Sequence, residues 1–264
     1  MRKFFLYTLV IVLSGCASVP ITHRRQLSLV SEYEIIETSK SAYSEFLSQH
    51  DIISPYNPNS ILVKKVGNKL AKACEKFLRD HGDVERLANF DWEFTLIEGT
   101  EKNAWCMPGG KVVVYEGILS VTENELGLAV VLSHEIAHAV ARHGSERMSQ
   151  QLMASYGADV LSVVVGAIDT KGIDLQDVLM GTYDVGSQVG LLKFSRNQET
   201  EADKMGLVFM EYAGYDCNEA IDFWKRMASN SSGGVPIFLS THPADYQRIQ
   251  DITEFIPVAK SYIH

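Results

Sequence analysis

Two histidines and a glutamate in one short segment have the spacing of a zinc site. His134, Glu135 and His138 form the pattern His-Glu-x-x-His. Four residues advance an α-helix by about 400°, so His134 and His138 lie on one face, one turn apart, and both imidazoles can reach the same ion. Glu135 lies about 100° around the helix, where it can reach a metal-activated water without being a ligand. The pattern predicts a zinc-dependent hydrolase in which Glu135 is the general base.

The surrounding sequence favours a metal site over an accidental match. A five-residue pattern with three fixed positions does occur by chance in unrelated helices. Here residues 133–140 are otherwise apolar. Three ionisable groups buried together on such a helix would be costly without an ion to compensate them. We therefore expect a metal centre rather than a structural polar cluster.

A third protein ligand is needed, because a catalytic zinc site usually has three and leaves one position for water. His143 follows His134 by nine residues, and on a continuing helix it would face away from the pair. The metzincin spacing is absent, because Ala141 and Gly144 occupy its glycine and third histidine positions. The third ligand is therefore expected from another part of the chain.

The acidic segment 195–203 is one source of that ligand. Glu199 and Asp203 are four residues apart and share a helix face. One carboxylate could bind the metal while the other accepts a hydrogen bond from the second nitrogen of a ligating histidine. Arg196 is also expected beside the ligands. Glu201 is expected to point to solvent, and His242 is the other candidate ligand.

Four blocks of sequence resemble one family of zinc peptidases. They are residues 103–111, 134–138, 195–203 and 241–243. Together they resemble the family that includes HtpX and the CaaX prenyl endopeptidases, especially its soluble periplasmic lipoprotein and BepA-like members. The resemblance spans about residues 60–250. It implies a mainly helical α+β fold, a gluzincin-like domain with a small sheet beside the His-Glu-x-x-His helix, and Glu199 as the third zinc ligand.

The resemblance also gives His242, in the tripeptide Thr-His-Pro, a place at the active site. It implies that this histidine either stabilises the oxyanion or covers the metal in a resting state. The alternative is a structural role, which is common for a histidine before proline. The membrane-spanning helices of HtpX and the prenyl endopeptidases have no counterpart here, so prenylated substrates are not expected.

A glycine-rich turn and the strand after it are the candidate substrate-binding segment. The predicted strand at residues 111–115, which includes Val112, could add an extended peptide to the edge of a sheet. The turn formed by Pro108, Gly109 and Gly110 would allow the peptide backbone to approach closely. An ordinary core strand is the alternative interpretation.

The amino-terminal segment predicts export. Residues 2–3 are basic, residues 4–13 are mostly apolar, and the segment ends in Leu-Ser-Gly-Cys. This ending resembles the lipobox of bacterial lipoproteins, which predicts lipidation at Cys16 and membrane attachment through that lipid. Ala17 follows, which favours an outer membrane with the protein facing the periplasm. A plain cleaved signal or an uncleaved anchor is the alternative.

The composition is that of an acidic globular protein. The 264 residues are 46% hydrophobic and carry 24 basic against 33 acidic side chains, a net charge of −9. This balance argues against a nucleic-acid partner. At most one disulfide is expected among Cys74, Cys106 and Cys217. The predicted organisation is a signal peptide at 1–15, a tether and helix at 16–55, and a zinc peptidase domain at 56–264.

Apolar periodicity places the motifs on a small number of elements. A helix is predicted from Glu123 to Met148, with Thr122 as its cap and Glu125 completing a capping box. Residues 150–193 are expected to form a helical lid or insertion. The other predicted elements are helices at 61–78, 196–213 and 218–227 and strands at 92–97 and 111–115.

These observations predict an endopeptidase with one zinc ion per chain that cleaves misfolded or misassembled proteins of the bacterial cell envelope. The first alternative is a chaperone or assembly factor with a closed or weakly active zinc site. The second is a structural zinc lipoprotein with four protein ligands. The presence of Glu135 argues against the second.

Overall fold

The computed structural model describes residues 16–156, 175–176, 179, 194–229, 238–239, 242 and 246–263. The strands are β1 (Cys16–Ser18), β2 (Arg25–Leu27), β3 (Glu93–Ile97), β4 (Ala104–Met107) and β5 (Lys111–Tyr115). The helices are α1 (Glu32–Ser48), α2 (Pro58–Asp80), α3 (Val84–Leu87), α4 (Leu119–Thr122), α5 (Glu125–Val140), α6 (His143–Tyr156), α7 (Arg196–Tyr212), α8 (Glu219–Ser229) and α9 (Tyr246–Ser261). The prediction of a mainly helical α+β fold with a small sheet is confirmed.

Helix α5 lies at the centre of the core. Its residues are apolar on all sides apart from the metal-site pattern, which is typical of a helix that is buried all round. It packs against α2, α7, α8 and the strand β4. The core therefore surrounds the His-Glu-x-x-His segment and isolates it from bulk water.

The ends of α5 differ from the prediction. Asn124 caps the helix, because its side chain accepts hydrogen bonds from the backbone N–H groups of Leu126 and Gly127. Thr122, the predicted cap, instead ends α4, where its hydroxyl donates to the carbonyl of Leu119. The expected capping box is therefore wrong.

The single long helix predicted to Met148 is also wrong. Helix α5 ends at Val140, and Arg142 adopts a φ of 59°, in the left-handed region. A new helix, α6, begins at His143. The chain changes direction at this point. His143 therefore does not lie on a continuation of α5, and the expectation that it faces away from His134 is wrong.

Strand β5 is the middle strand of a three-stranded sheet. It pairs in parallel with β3 and antiparallel with β4. Both of its edges are therefore occupied, and Val112 is completely buried within it. The prediction that this strand adds a substrate to the sheet edge is wrong, and the alternative of a core strand is correct.

The segment predicted as a tether packs on the rest of the protein. Strands β1 and β2 form an antiparallel hairpin in which Cys16 pairs with Leu27. Helix α1 lies against the small sheet, where the hydroxyls of Tyr43 and Thr95 are 2.7 Å apart. The division at residues 16–55 and 56–264 stays a prediction, and the proposed signal peptide at 1–15 lies outside the described residues.

Three further expectations concern cysteines, membranes and the lid. Cys74, Cys106 and Cys217 are buried free thiols. Among the described residues, none of the helices has both the length and the apolar character needed to cross a bilayer. Most of the predicted lid at 150–193 lies outside the described residues.

Candidate metal centre

Close packing of α7 on α5 brings the two motifs together. Gly206 of α7 faces α5, and a Cβ at that position would lie 3.2 Å from the backbone nitrogen of His134. The small residue permits a short distance between the helix axes. As a result, Glu199 and Asp203 on the same helix reach the imidazole of His134.

Four side chains converge on one point inside the protein. The donor atoms of His134, His138, Glu199 and His242 all lie within 4.8 Å of one another, and all four residues are buried. The Nε2 atoms of His134 and His138 are 3.0 Å apart, and Nδ1 of His242 is 3.1 Å from Nε2 of His134. Nδ1 of His242 also lies 2.9 Å from Oε1 of Glu199.

The hydrogen bonding of this cluster fits a bound cation. Oε2 of Glu199 is buried and makes no hydrogen bond within the described residues, although Nη1 of Arg248 lies 3.0 Å from it. Three imidazole nitrogens and a carboxylate facing each other at 3 Å leave lone pairs without donors. Imidazole and carboxylate are both ligands that suit zinc.

The charge distribution also favours a positive group here. Burial would lower the pKa of His134, but hydrogen bonds to Asp203 and Glu199 outweigh it and raise the pKa to about 9. Burial would raise the pKa of Glu199, but His242 and Arg248 hold it well below the usual range. Burial lowers the pKa of His242 to about 4 and that of His138 well below its usual range, so two neutral imidazoles offer lone pairs next to an ionised carboxylate.

Glu135 lies beside the cluster with an unused carboxylate oxygen. Its Oε1 is buried, has no hydrogen-bond partner within the described residues, and lies 3.5 Å from Nε2 of His242. The backbone of Cys106 in β4 hydrogen-bonds the same carboxylate. Burial is the largest influence and raises the pKa of Glu135 to about 8. An oxygen in this position can accept a proton from a group at the cluster.

One support holds His134. Its Nδ1 is 2.9 Å from Oδ1 of Asp203. Arg248 then donates to both oxygens of Asp203, from Nε at 2.8 Å and from Nη2 at 2.7 Å. The guanidinium of Arg248 also stacks over the ring of Trp224 at 3.5 Å. This arrangement fixes the carboxylate that contacts His134.

Arg248 takes the place that the sequence predicted for Arg196. Arg196 is exposed in the first turn of α7. It lines a cavity of about 440 Å³ that reaches Glu199, Asp203 and Arg248. Arg248 was missed because it lies 45 residues after Asp203 on α9, outside any of the four motif blocks. A buried arginine near two buried carboxylates can be recognised only once the helices are packed.

A second support holds His138. Its Nδ1 is 2.8 Å from Nδ1 of His143, and Nε2 of His143 is 3.0 Å from Oε2 of Glu201. Glu201 is 4% exposed, so the prediction that it points to solvent is wrong. The physical reason is that the amino-terminal hairpin covers this side of α7, where Thr22 and Arg24 donate to the Glu201 carboxylate.

The predicted substrate-binding turn is closed by the protein itself. Gly109 and Gly110 have φ values of 86° and 88°. Their carbonyls accept hydrogen bonds from the backbone of Asp91 and Glu93, at 2.9 Å and 3.0 Å. A Cβ at Gly110 would overlap the ring of Trp92. The turn, with Pro108, closes the sheet, so its assignment to substrate is wrong.

Comparisons with known proteins agree with this site. Residues 67–256 match the model of Peptidase family M48. The chain is 35% identical over 246 residues to "Mitochondrial metalloendopeptidase OMA1" of Schizosaccharomyces pombe, covering 92% of this chain and 67% of that protein. It is 34% identical to the Saccharomyces cerevisiae protein of the same name, covering 84% of this chain and 62% of the relative.

The match with a bacterial relative spans a smaller part of both proteins. The chain is 30% identical over 164 residues to "Beta-barrel assembly-enhancing protease" of Yersinia pestis, covering 61% of this chain and 33% of that protein. The family resemblance is therefore confirmed, whereas the narrower placement with HtpX and the BepA-like branch stays a prediction. The chain spans about two thirds of the two yeast relatives and a third of this one.

The predicted location needs correction. The two relatives of higher identity among these three are mitochondrial proteins. The prediction that the protein lies at a bacterial outer membrane and faces the periplasm is therefore wrong, whereas lipidation at Cys16 stays a prediction. The four-residue lipobox resemblance was too short to decide the compartment. The matches do confirm the prediction of a metalloendopeptidase, and with well over half of its length matched, the chain belongs to peptidase family M48.

Proposed function

We propose that this protein hydrolyses peptide bonds with one zinc ion held by His134, His138 and Glu199, and with Glu135 as general base. The observation that carries the proposal is the buried convergence of these two imidazoles and this carboxylate on one point, with their donor atoms within 4.8 Å of one another. When bound there, zinc supplies a Lewis acid for a peptide carbonyl and lowers the pKa of water.

The position of Glu135 supports its proposed role as general base. Its free Oε1 faces the cluster, so it can take a proton from the attacking water and return it to the leaving amine. Helix α5 fixes this carboxylate one residue after His134, so the base and the ligand keep a constant separation. Removal of the carboxylate should therefore stop turnover without emptying the site.

The edge of β4 is the proposed place for an extended polypeptide. In the described part of the chain, β4 pairs only with β5. It packs on α5, and the backbone of Cys106 contacts Glu135. A substrate strand added beside β4 would bring its carbonyl groups next to the general base. The proposed partners are therefore polypeptides, with no nucleic acid.

A closed site supports the second candidate function. The ring of His242 lies against Glu199, His134 and Glu135, and all of these groups are buried. In this latched state His242 occupies the space between Glu135 and Glu199, and we propose that it moves away before a polypeptide contacts both groups. A chaperone or assembly factor with a weakly active zinc site, suggested also by the name of the bacterial relative, would keep this arrangement. Misfolded or misassembled proteins remain the proposed substrates in either case.

Metal content and casein cleavage, measured together, test the proposal. The full-length chain would be purified in detergent as wild type, Glu135→Gln and Glu199→Ala, with Glu37→Gln on the exposed face of α1 as control. We expect one zinc per wild-type chain, a loss of cleavage of at least about 100-fold in Glu135→Gln with zinc retained, and depleted zinc in Glu199→Ala.

The outcomes separate the two functions. Full zinc occupancy without cleavage in the wild type would favour the chaperone or latched enzyme. Wild-type protein that holds no zinc after purification, and does not take it up, would refute the metal centre. Equal cleavage by Glu135→Gln and Glu37→Gln would refute the role of Glu135 as general base.

A further inference from the structure

We infer that Arg24, Glu201 and His143 form a positioning chain that orients the metal ligand His138, so that the amino-terminal hairpin is part of the active site. The inference rests on the proposed metal centre. It concerns groups that no motif block places together, because Arg24 and His138 are more than a hundred residues apart in sequence.

When His143 is neutral, the donors and acceptors from Arg24 to His138 can be arranged in only one way. Arg24 can only donate, and its Nε lies 2.9 Å from Oε1 of Glu201. The ionised Glu201 can only accept, so the proton between it and His143, 3.0 Å away, belongs to Nε2 of His143. Nδ1 of His143 is then an acceptor.

This order determines the tautomer of His138. Its Nδ1 lies 2.8 Å from Nδ1 of His143, so Nδ1 of His138 must carry the proton and donate it. The lone pair of His138 is then on Nε2, the atom that faces His134 and Glu199 at 3.0 Å and 3.4 Å. The chain thus presents the correct nitrogen to the ion.

Arg24 is itself held in place on both sides. Its two terminal nitrogens donate to both oxygens of Glu146, at 2.6 Å and 2.7 Å. Gln198 of α7 donates to the same carboxylate at 2.7 Å. The hydroxyl of Thr22 adds a further donor to Glu201 at 2.7 Å. Hairpin, α6 and α7 therefore meet at one guanidinium.

A local backbone feature brings His143 into reach. Arg142 has a φ of 59°, an unfavourable value for a residue with a Cβ, and His143 begins the next helix. Had α5 continued, His143 would face away from His138. The left-handed residue redirects the chain so that two imidazoles five residues apart meet edge to edge.

Measurements of metal binding test the contacts that connect Arg24 with His138 directly. Full-length wild type, Arg24→Met, Arg24→Lys and Glu201→Gln would be compared by chelator competition for zinc and by the visible spectrum of the cobalt form. Arg25→Met is the matched control, because Arg25 is the next residue of the same hairpin and is exposed. Circular dichroism of the metal-free proteins reports on folding, and Arg24 is 26% exposed, so its replacement is tolerated more easily than a core change.

We expect Arg24→Met and Glu201→Gln to weaken zinc binding about tenfold and to alter the cobalt spectrum. Arg24→Lys should recover part of the affinity, because one ammonium replaces the charge but not the bidentate contact, and Arg25→Met should match wild type. Zinc affinity and cobalt spectra equal to those of Arg25→Met would overturn the inference, as would loss of secondary structure in metal-free Arg24→Met together with the loss of affinity. A wild-type chain that binds no zinc would instead refute the proposed function.

Discussion

The two histidines of the His-Glu-x-x-His segment are supported in different ways. His134 contacts Asp203 directly, and Asp203 is held by Arg248 from α9, and all three residues are buried. His138 contacts a second imidazole, and behind it lie the buried Glu201 carboxylate and the Arg24 guanidinium, which is 26% exposed. On the His134 side, a charged carboxylate contacts the ligand directly. On the His138 side, a neutral imidazole lies between the ligand and the carboxylate.

Because of this difference, we expect the two supports to contribute unequally to stability and to metal affinity. A carboxylate in direct contact raises the basicity of its histidine strongly, because the charge is adjacent and poorly screened in the core. A neutral imidazole between the carboxylate and the ligand can fix the orientation and the tautomer of the ligand, but it raises the basicity of the ligand less. We therefore expect the Asp203 side to dominate stability and metal affinity, and the Glu201 side to refine geometry and to connect the site with the hairpin.

The largest effect is expected from Arg248→Met. It removes the guanidinium that pairs with the buried carboxylates of Asp203 and Glu199, and breaking a buried ion pair costs about 3–5 kcal/mol of unfolding free energy. Arg24→Met, whose ion pairs are partly exposed, should cost only about 1–2 kcal/mol by the same reasoning. Denaturant unfolding of the metal-free proteins measures both values.

Arg79→Met is a suitable control for that comparison. Arg79 pairs with Glu75 on the surface of α2 and is more than half exposed, so its loss should change stability by less than about 0.5 kcal/mol. If Arg248→Met were no more destabilising than Arg24→Met, the two supports would carry equal weight and the distinction between them would be wrong.

The next prediction compares how much the carboxylates of Asp203 and Glu201 contribute to zinc affinity. Asp203→Asn should weaken zinc binding by about 100-fold and Glu201→Gln by about tenfold, the two ends of the usual range for groups that orient a ligand. Only the first carboxylate touches a ligating imidazole. Chelator competition gives both constants, with the exposed Asp222→Asn on α8 as control. A larger loss in Glu201→Gln would reverse the ranking.

The features that depend only on the spacing of nearby residues could be predicted from the sequence. The positions of His134 and His138 on one helix face, and of Glu199 and Asp203 on another, follow from the period of the α-helix, and the structure places these side chains in contact. The bounds of α2, α7 and α8 also lie within a few residues of the prediction. These features involve no partner distant in sequence.

The features that were missed depend on partners elsewhere in the chain. Glu201 was assigned to solvent because nothing in its own helix shows that a hairpin covers it. The break after Val140 has no glycine or proline at the turning point, where Arg142 adopts the left-handed conformation. The central position of β5 had one local signal, because Val112, Val113 and Val114 are three consecutive apolar residues, which is typical of a strand buried on both faces.

The smallest expected effect tests whether the backbone at Arg142 orients the His138 side. Arg142→Gly and Arg142→Val both remove the ion pair with Glu32, but only glycine adopts a positive φ without strain. Arg142→Gly should therefore change the unfolding free energy by less than about 1 kcal/mol and leave the cobalt spectrum unaltered. Arg142→Val should cost about 1–3 kcal/mol.

In Arg142→Val the strain can also be relieved by a shift of the break, which would withdraw His143 from His138 and weaken zinc binding. Because the two variants lose the same guanidinium, any difference between them arises from the backbone conformation. Equal zinc affinity and equal stability in both would show that the left-handed residue is not needed to place His143. The support of His138 would then depend on its side-chain contacts alone, as that of His134 does.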